Sequence, residues 1–135
     1  TAPQSYQGYL ARALYNYRRG WDARGGAWAS ETKQSQMHKM HSYFDLAKKD
    51  IDKAIKLNSK STVPYNLRIN IYMTTGMDIK ASDTLKRALK ISPASYEVRK
   101  TYLHSLTPRW GGSYLAMQAF IEESLKYQTS QIILC

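Results

Sequence analysis

The chain has 135 residues, 43% hydrophobic and 22% charged, a balance that supports a folded core and excludes a disordered chain. Twenty Lys and Arg against ten Asp and Glu give a formal charge of +10, which attracts acidic proteins, nucleic acid or anionic membrane. No apolar run approaches the roughly 20 residues needed to span a bilayer; the single cysteine, Cys135, excludes an internal disulfide and fits a reducing, cytoplasmic setting.

The first helix is expected over residues 5–24. Tyr6, Tyr9, Leu10, Ala13, Leu14, Tyr17 and Trp21 recur at three- and four-residue steps and share one face. Gly25-Gly26 stops it, and residues 27–33 read as a loop in which Ser30 caps a following turn. A long second helix covers residues 35–57, with Met37, Met40, Phe44, Ala47, Ile51, Ala54 and Ile55 facing inward. Residues 58–61 are a turn. The third helix covers residues 63–75 and ends at Gly76; the fourth covers 78–91, with Pro93 beyond its end. The fifth spans 94–105, the segment 107–112 breaks the pattern, and the sixth runs over 113–127 with Leu115, Met117, Phe120, Ile121 and Leu125 apolar. No alternating strand pattern is present. The apolar end, Ile132 to Cys135, and the start at Thr1 suggest a segment of a longer chain.

Residues 47–59, AKKDIDKAIKLNS, and residues 81–93, ASDTLKRALKISP, align at an offset of 34. Ala47 matches Ala81, Ile51 matches Leu85, Ala54 matches Ala88 and Leu57 matches Ile91. Thirty-four residues is the period of the tetratricopeptide repeat, a helix–turn–helix unit. Tyr65, Tyr72, Gly76, Ala81, Leu85, Ala88 and Pro93 fill its pattern; Arg68 and Ile69 depart from it. The expected architecture is all-α, three helical hairpins stacked as a short tetratricopeptide-like solenoid in one domain. In such repeats the first helix of each pair lines a concave face. That places Asn66, Asn70, Met73 and Thr74 on the face, with Lys100 and His104 one period after Asn66 and Asn70. Asn, Lys and His at one-turn spacing suit a peptide backbone or a terminal carboxylate.

Two segments are more specific. One is RGWDARGGAWASE at residues 19–31; the other is LTPRWGGSY at residues 106–114, followed by Ala116-Met117 and Ala119-Phe120. Together they resemble a bacterial family of helical, tetratricopeptide-like domains of unknown function, over about residues 9–125. The resemblance implies a helical fold and supplies no catalytic residue. Gly111-Gly112 has two readings. It could cradle an anion at a helix start beside Arg109, or it could permit a tight turn while Trp110 plugs the core. The turn is the stronger reading, because the segment is neither a Walker loop nor a dinucleotide fingerprint. Of the other tryptophans, Trp28 is the better candidate for exposure.

His38 and His41 share a helical face, but a zinc site needs three or four ligands, and His104 and Cys135 are distant in sequence. No metal or other cofactor is expected. The carboxylates sit mostly beside Lys or Arg, Glu122 and Glu123 face solvent, and there is no nucleophile elbow, so no enzyme is expected. The expected function is non-catalytic binding of another protein or peptide, as adaptor, scaffold or immunity-type inhibitor. The partner-binding set is Asn66, Asn70, Met73, Lys100, His104 and Arg109, and Lys100 favours an acidic partner. The alternative is nucleic-acid binding through the basic, aromatic-rich surface; against it, Arg and aromatic residues do not visibly interleave on one face.

Overall fold

The computed structural model describes residues 4–134, with side chains through residue 126. Cys135 lies outside the described residues. Among them are six α-helices, two short 3-10 turns and no strand. The chain divides into two compact units, residues 1–67 and 68–135.

The first unit is dominated by α1 (Tyr6–Arg24) and α2 (Gln34–Leu57). Ser5 caps α1, its hydroxyl accepting from the Gly8 amide at 3.0 Å. Gly25 ends the helix with φ +78°, a conformation in which a side chain is strained. The connection to α2 holds a 3-10 turn, Ala29–Glu31. The Lys33 amide, at the N-cap of α2, donates to the Gln36 side chain at 3.0 Å, so the cap is Lys33 with Gln36 rather than Ser30. The two helices pack antiparallel: Arg12, early in α1, meets Asp50, late in α2, whereas Arg19 and Gly20, later in α1, meet the earlier Tyr43 and Phe44.

The buried side of α2 agrees with the expectation at Met40, Phe44, Ala47, Ile51 and Ala54, with Met37 and Ile55 half-buried. The buried side of α1 agrees only in part: Ala13 is buried and Tyr6, Tyr9, Leu10, Tyr17 and Trp21 are half-buried, but Leu14 is 45% exposed, and Asn16, Gly20 and Arg24 are buried in addition. Closest approach to the Phe44 ring demands glycine at residue 20, since a Cβ there would sit inside the ring's contact envelope. Asn16 is accommodated by donating to the Arg12 carbonyl at 3.2 Å.

Helix α3 (Val63–Thr74) carries the division between the units. Its end is a Schellman motif: Gly76 has φ +72°, the Met77 amide reaches the Tyr72 carbonyl at 2.8 Å and the Gly76 amide the Met73 carbonyl at 3.2 Å. The second unit continues with α4 (Asp78–Ile91), α5 (Tyr96–Ser105) and α6 (Tyr114–Leu134). Asp78 stands in the first turn of α4 and Lys90 in its last, both favourable to the helix dipole. The Ser95 hydroxyl caps α5, and the Ser113 hydroxyl accepts from the Ala116 amide at 3.0 Å where α6 begins. Helix α6 reaches seven residues past its expected end at residue 127, because no proline or glycine interrupts it.

The four alanines paired by the 34-residue offset, Ala47, Ala54, Ala81 and Ala88, are all buried, at 0, 0, 2 and 0% exposure. Ile51 and Leu85 are buried beside them, whereas Leu57 is 52% exposed and Ile91 half-buried. The shared spacing therefore carries a shared small-residue stripe on α2 and α4. Enlarging it should overpack the interior: Ala88→Leu is expected to cost about 1–3 kcal/mol. A urea melt with an unchanged midpoint would refute that assignment.

Candidate functional site

Within the second unit, residues of α5 and α6 line a cleft of about 200 Å³. Leu103, Phe120 and Ile121 make its apolar wall, Tyr96 and Leu125 stand at its mouth, and Arg99 and Lys100 add positive charge. Tyr96 is 68% exposed and Leu125 55%, unusual for large apolar side chains that share a hollow. The Phe120 ring that lines it also packs against the Tyr102 ring, with centroids 5.1 Å apart. Arg99 is fixed by donating to the Pro93 carbonyl at 2.6 Å and the Ser95 carbonyl at 3.3 Å, so its position is set by the connection between α4 and α5.

The residues expected to bind a partner take different positions. Lys100 is exposed and lines this cleft. His104, one turn later on α5, is also exposed. Asn70 is half-buried on α3, and Asn66, in the first unit, is half-buried as well. Met73 is buried, 5% exposed, and borders a smaller hollow of about 140 Å³ with Tyr102, Trp110 and Gly112. Thr74, on the same expected face, is buried and donates its hydroxyl to the Asn70 carbonyl at 2.8 Å. Arg109 is exposed, its guanidinium 5.6 Å from the Trp110 ring centre.

The tight-turn reading of the Trp-Gly-Gly segment has a geometric basis. Pro108–Trp110 form a 3-10 turn, Gly111 has φ +89°, and the Gly112 amide closes back on the Thr107 carbonyl at 3.1 Å. A Cβ on Gly112 would collide with the Leu106 backbone. Each glycine is thus explained without an anion. Trp110 is half-buried and Trp28 is 56% exposed.

In the first unit the seam between α1 and α2 does interleave cations and aromatics. Arg19 donates from Nη1 to the Tyr15 hydroxyl and from Nη2 to the Tyr43 hydroxyl, each at 2.8 Å. Its guanidinium carbon lies 5.7 and 5.1 Å from the two ring centres. The Tyr43 hydrogen bond, then that of Tyr15, raises the Arg19 pKa further above its ordinary value. Two turns earlier, Arg12 makes a bidentate pair with Asp50, at 2.7 and 2.8 Å, and lies 5.9 Å from the Tyr9 ring centre. Sequence reasoning missed this seam because it pairs residues 24 to 38 positions apart. The cleft residues Tyr96 and Leu103 were equally unmarked, and Phe120, Ile121 and Leu125 were read only as the apolar side of the sixth helix.

Among the described residues, no group of three or more His, Cys, Asp or Glu side chains is placed to hold a metal ion, and no helix is long and apolar enough to cross a membrane. Residues 80–131 match DUF4034, a domain of unknown function. That stretch includes the Leu106 to Ser113 segment, the cleft and most of α6, and leaves out residues 19–31. Neither the curated proteins nor the solved structures yield a match to the chain.

Proposed function

We propose that this chain is a non-catalytic interaction module whose three helical hairpins form a short tetratricopeptide-like stack, and that it holds an acidic, partly apolar segment of another protein. The observation that carries this reading is the α5–α6 cleft. About 200 Å³ is below the size of a typical small-molecule site and suits one or two anchoring side chains. An apolar anchor would enter between Leu103 and Phe120, and a neighbouring carboxylate would meet Lys100 and Arg99 at the edge. The chain's charge of +10 favours the same partner chemistry at long range. His104, one turn along α5, and Asn70 are the further candidates for contact. An adaptor, a scaffold and an immunity-type inhibitor all fit this description.

The test is site-specific photo-crosslinking in the native host, with the crosslinker at Tyr96 and a control position at exposed Lys90. The joined peptides are read by mass spectrometry. Peptides enriched in apolar residues flanked by Asp or Glu, captured at Tyr96 and not at Lys90, are expected. Lys100→Glu should weaken a synthetic copy of the captured peptide by at least about tenfold, since it replaces attraction by repulsion. Equal capture at both positions, or unchanged affinity in Lys100→Glu, would overturn the reading.

A further inference from the structure

We propose that the α1–α2 seam is a second, independent binding strip, and that its ligand is single-stranded nucleic acid. The centre of the strip is the Tyr15–Arg19–Tyr43 cluster. A guanidinium has five N–H donors, and the two bonds to phenol oxygens use two of them. Each phenol oxygen that accepts from Arg19 keeps its own O–H to donate. One oxyanion can therefore meet Arg19 N–H groups and two Tyr O–H groups on a single patch. The tyrosines also fix the guanidinium fork before any ligand arrives, which reduces the entropy lost on binding.

The surroundings favour a polyanion with flat, apolar groups over a lone carboxylate. Lys39, Tyr43, Leu46, Asp50 and Lys53 follow one another at three- and four-residue steps along α2. Lys39 and Lys53 are exposed at the two ends of that row, roughly 21 Å apart at the rise of an α-helix. Between them lie Leu46, 49% exposed, and, across the seam, Tyr15, 57% exposed. Asp50 is the acid within the row, and both its oxygens are taken by Arg12; Asp22, three residues beyond Arg19, marks the far edge. Spaced cations that alternate with exposed ring and aliphatic surface match the alternation of phosphate and base in an unpaired strand. In this arrangement Arg19 takes a backbone phosphate and Tyr15 stacks on a base.

The experiment is fluorescence anisotropy with labelled oligo-uridine and oligo-thymidine at about 50 and 200 mM salt, using the full chain. Binding that weakens with salt is expected. Arg19→Ala should lose about tenfold and make the salt slope shallower by about one. Tyr15→Ala should lose about tenfold with the slope unchanged, because stacking moves no counterion. Tyr43→Phe keeps the ring, and so the packing, while removing one donor; a loss of a few-fold is expected. Lys90→Ala, on α4, is the control and should change little. Circular dichroism of each variant separates lost binding from lost fold. No binding at the lower salt, losses in Lys90→Ala equal to those in Arg19→Ala, or displacement by polyglutamate as effective as by unlabelled RNA would each overturn the proposal.

Discussion

Phe44→Ala is expected to destabilise the first unit by about 3–5 kcal/mol. The ring is 1% exposed and packs against Tyr17 with centroids 5.7 Å apart. Its edge rests on Gly20, so the facing helix offers hydrogen rather than a side chain at that point. Removing the ring leaves a hole beside Gly20, which has no side chain to fill it. The converse change makes the same point from the other side. Gly20→Ala adds a carbon inside the ring's contact envelope, a cost of about 1–3 kcal/mol that exceeds the roughly 1 kcal/mol gained in helix propensity. Urea denaturation should show a lower midpoint at unchanged slope for both variants. Gly20→Ala combined with Phe44→Leu should cost less than the sum of the two changes, because a smaller side chain makes room for the methyl. A Phe44→Ala protein within about 1 kcal/mol of the parent would contradict the packing described here.

Gly112→Ala is expected to be the most damaging change in the second unit, about 3 kcal/mol or more. The added Cβ would meet the carbonyl group and Cα of Leu106, which are main-chain atoms and cannot rotate away. Relief requires moving the end of α5 against the start of α6. Gly111→Ala is the informative contrast. Space around Gly111 is open, and the cost there is only that of φ +89°, about 1–2 kcal/mol for an L-residue. Hydrogen exchange should report Gly112→Ala as faster exchange across both α5 and α6, and Gly111→Ala as a change confined to the turn. Equal effects from the two neighbouring substitutions would refute this division of roles.

Element order was legible because its punctuation is chemical. Gly25, Gly76 and Pro93 stand where helices stop, and Ser5 and Ser95 stand where they start. The small-residue stripe on α2 and α4 was legible because its spacing repeats. The inner side of α1 was legible only in part. A reading by hydropathy draws the stripe through Leu14, whereas the interior holds Asn16, Gly20 and Arg24, chosen by the closeness of Phe44 and by main-chain partners. The cation–tyrosine seam was invisible for a different reason: the register between two helices is set by side-chain fit, and no local pattern encodes that Arg19 faces Tyr43. Lys100 was singled out by its repeat position. The cleft it borders is built from residues of α5 and α6 about 20 positions apart, Lys100 and Leu103 with Phe120 and Ile121, and no local pattern encodes that pairing.

Arg24 has a consequence for sequence drift. The residue is 2% exposed, and its guanidinium lies 5.4 Å from the Trp21 ring centre and donates to the carbonyls of Gly25 and Ala27 at 3.1 and 3.0 Å. Those acceptors are peptide oxygens, which every amino acid provides. The path out of α1 is thus imposed from the helix side, by a residue that recognises backbone and is indifferent to side-chain identity. Residue 27 is free to vary so long as its carbonyl stays in place, whereas Gly25 is held by its own φ of +78°, and variants of this hairpin should change residue 27 well before they change the arginine that holds it.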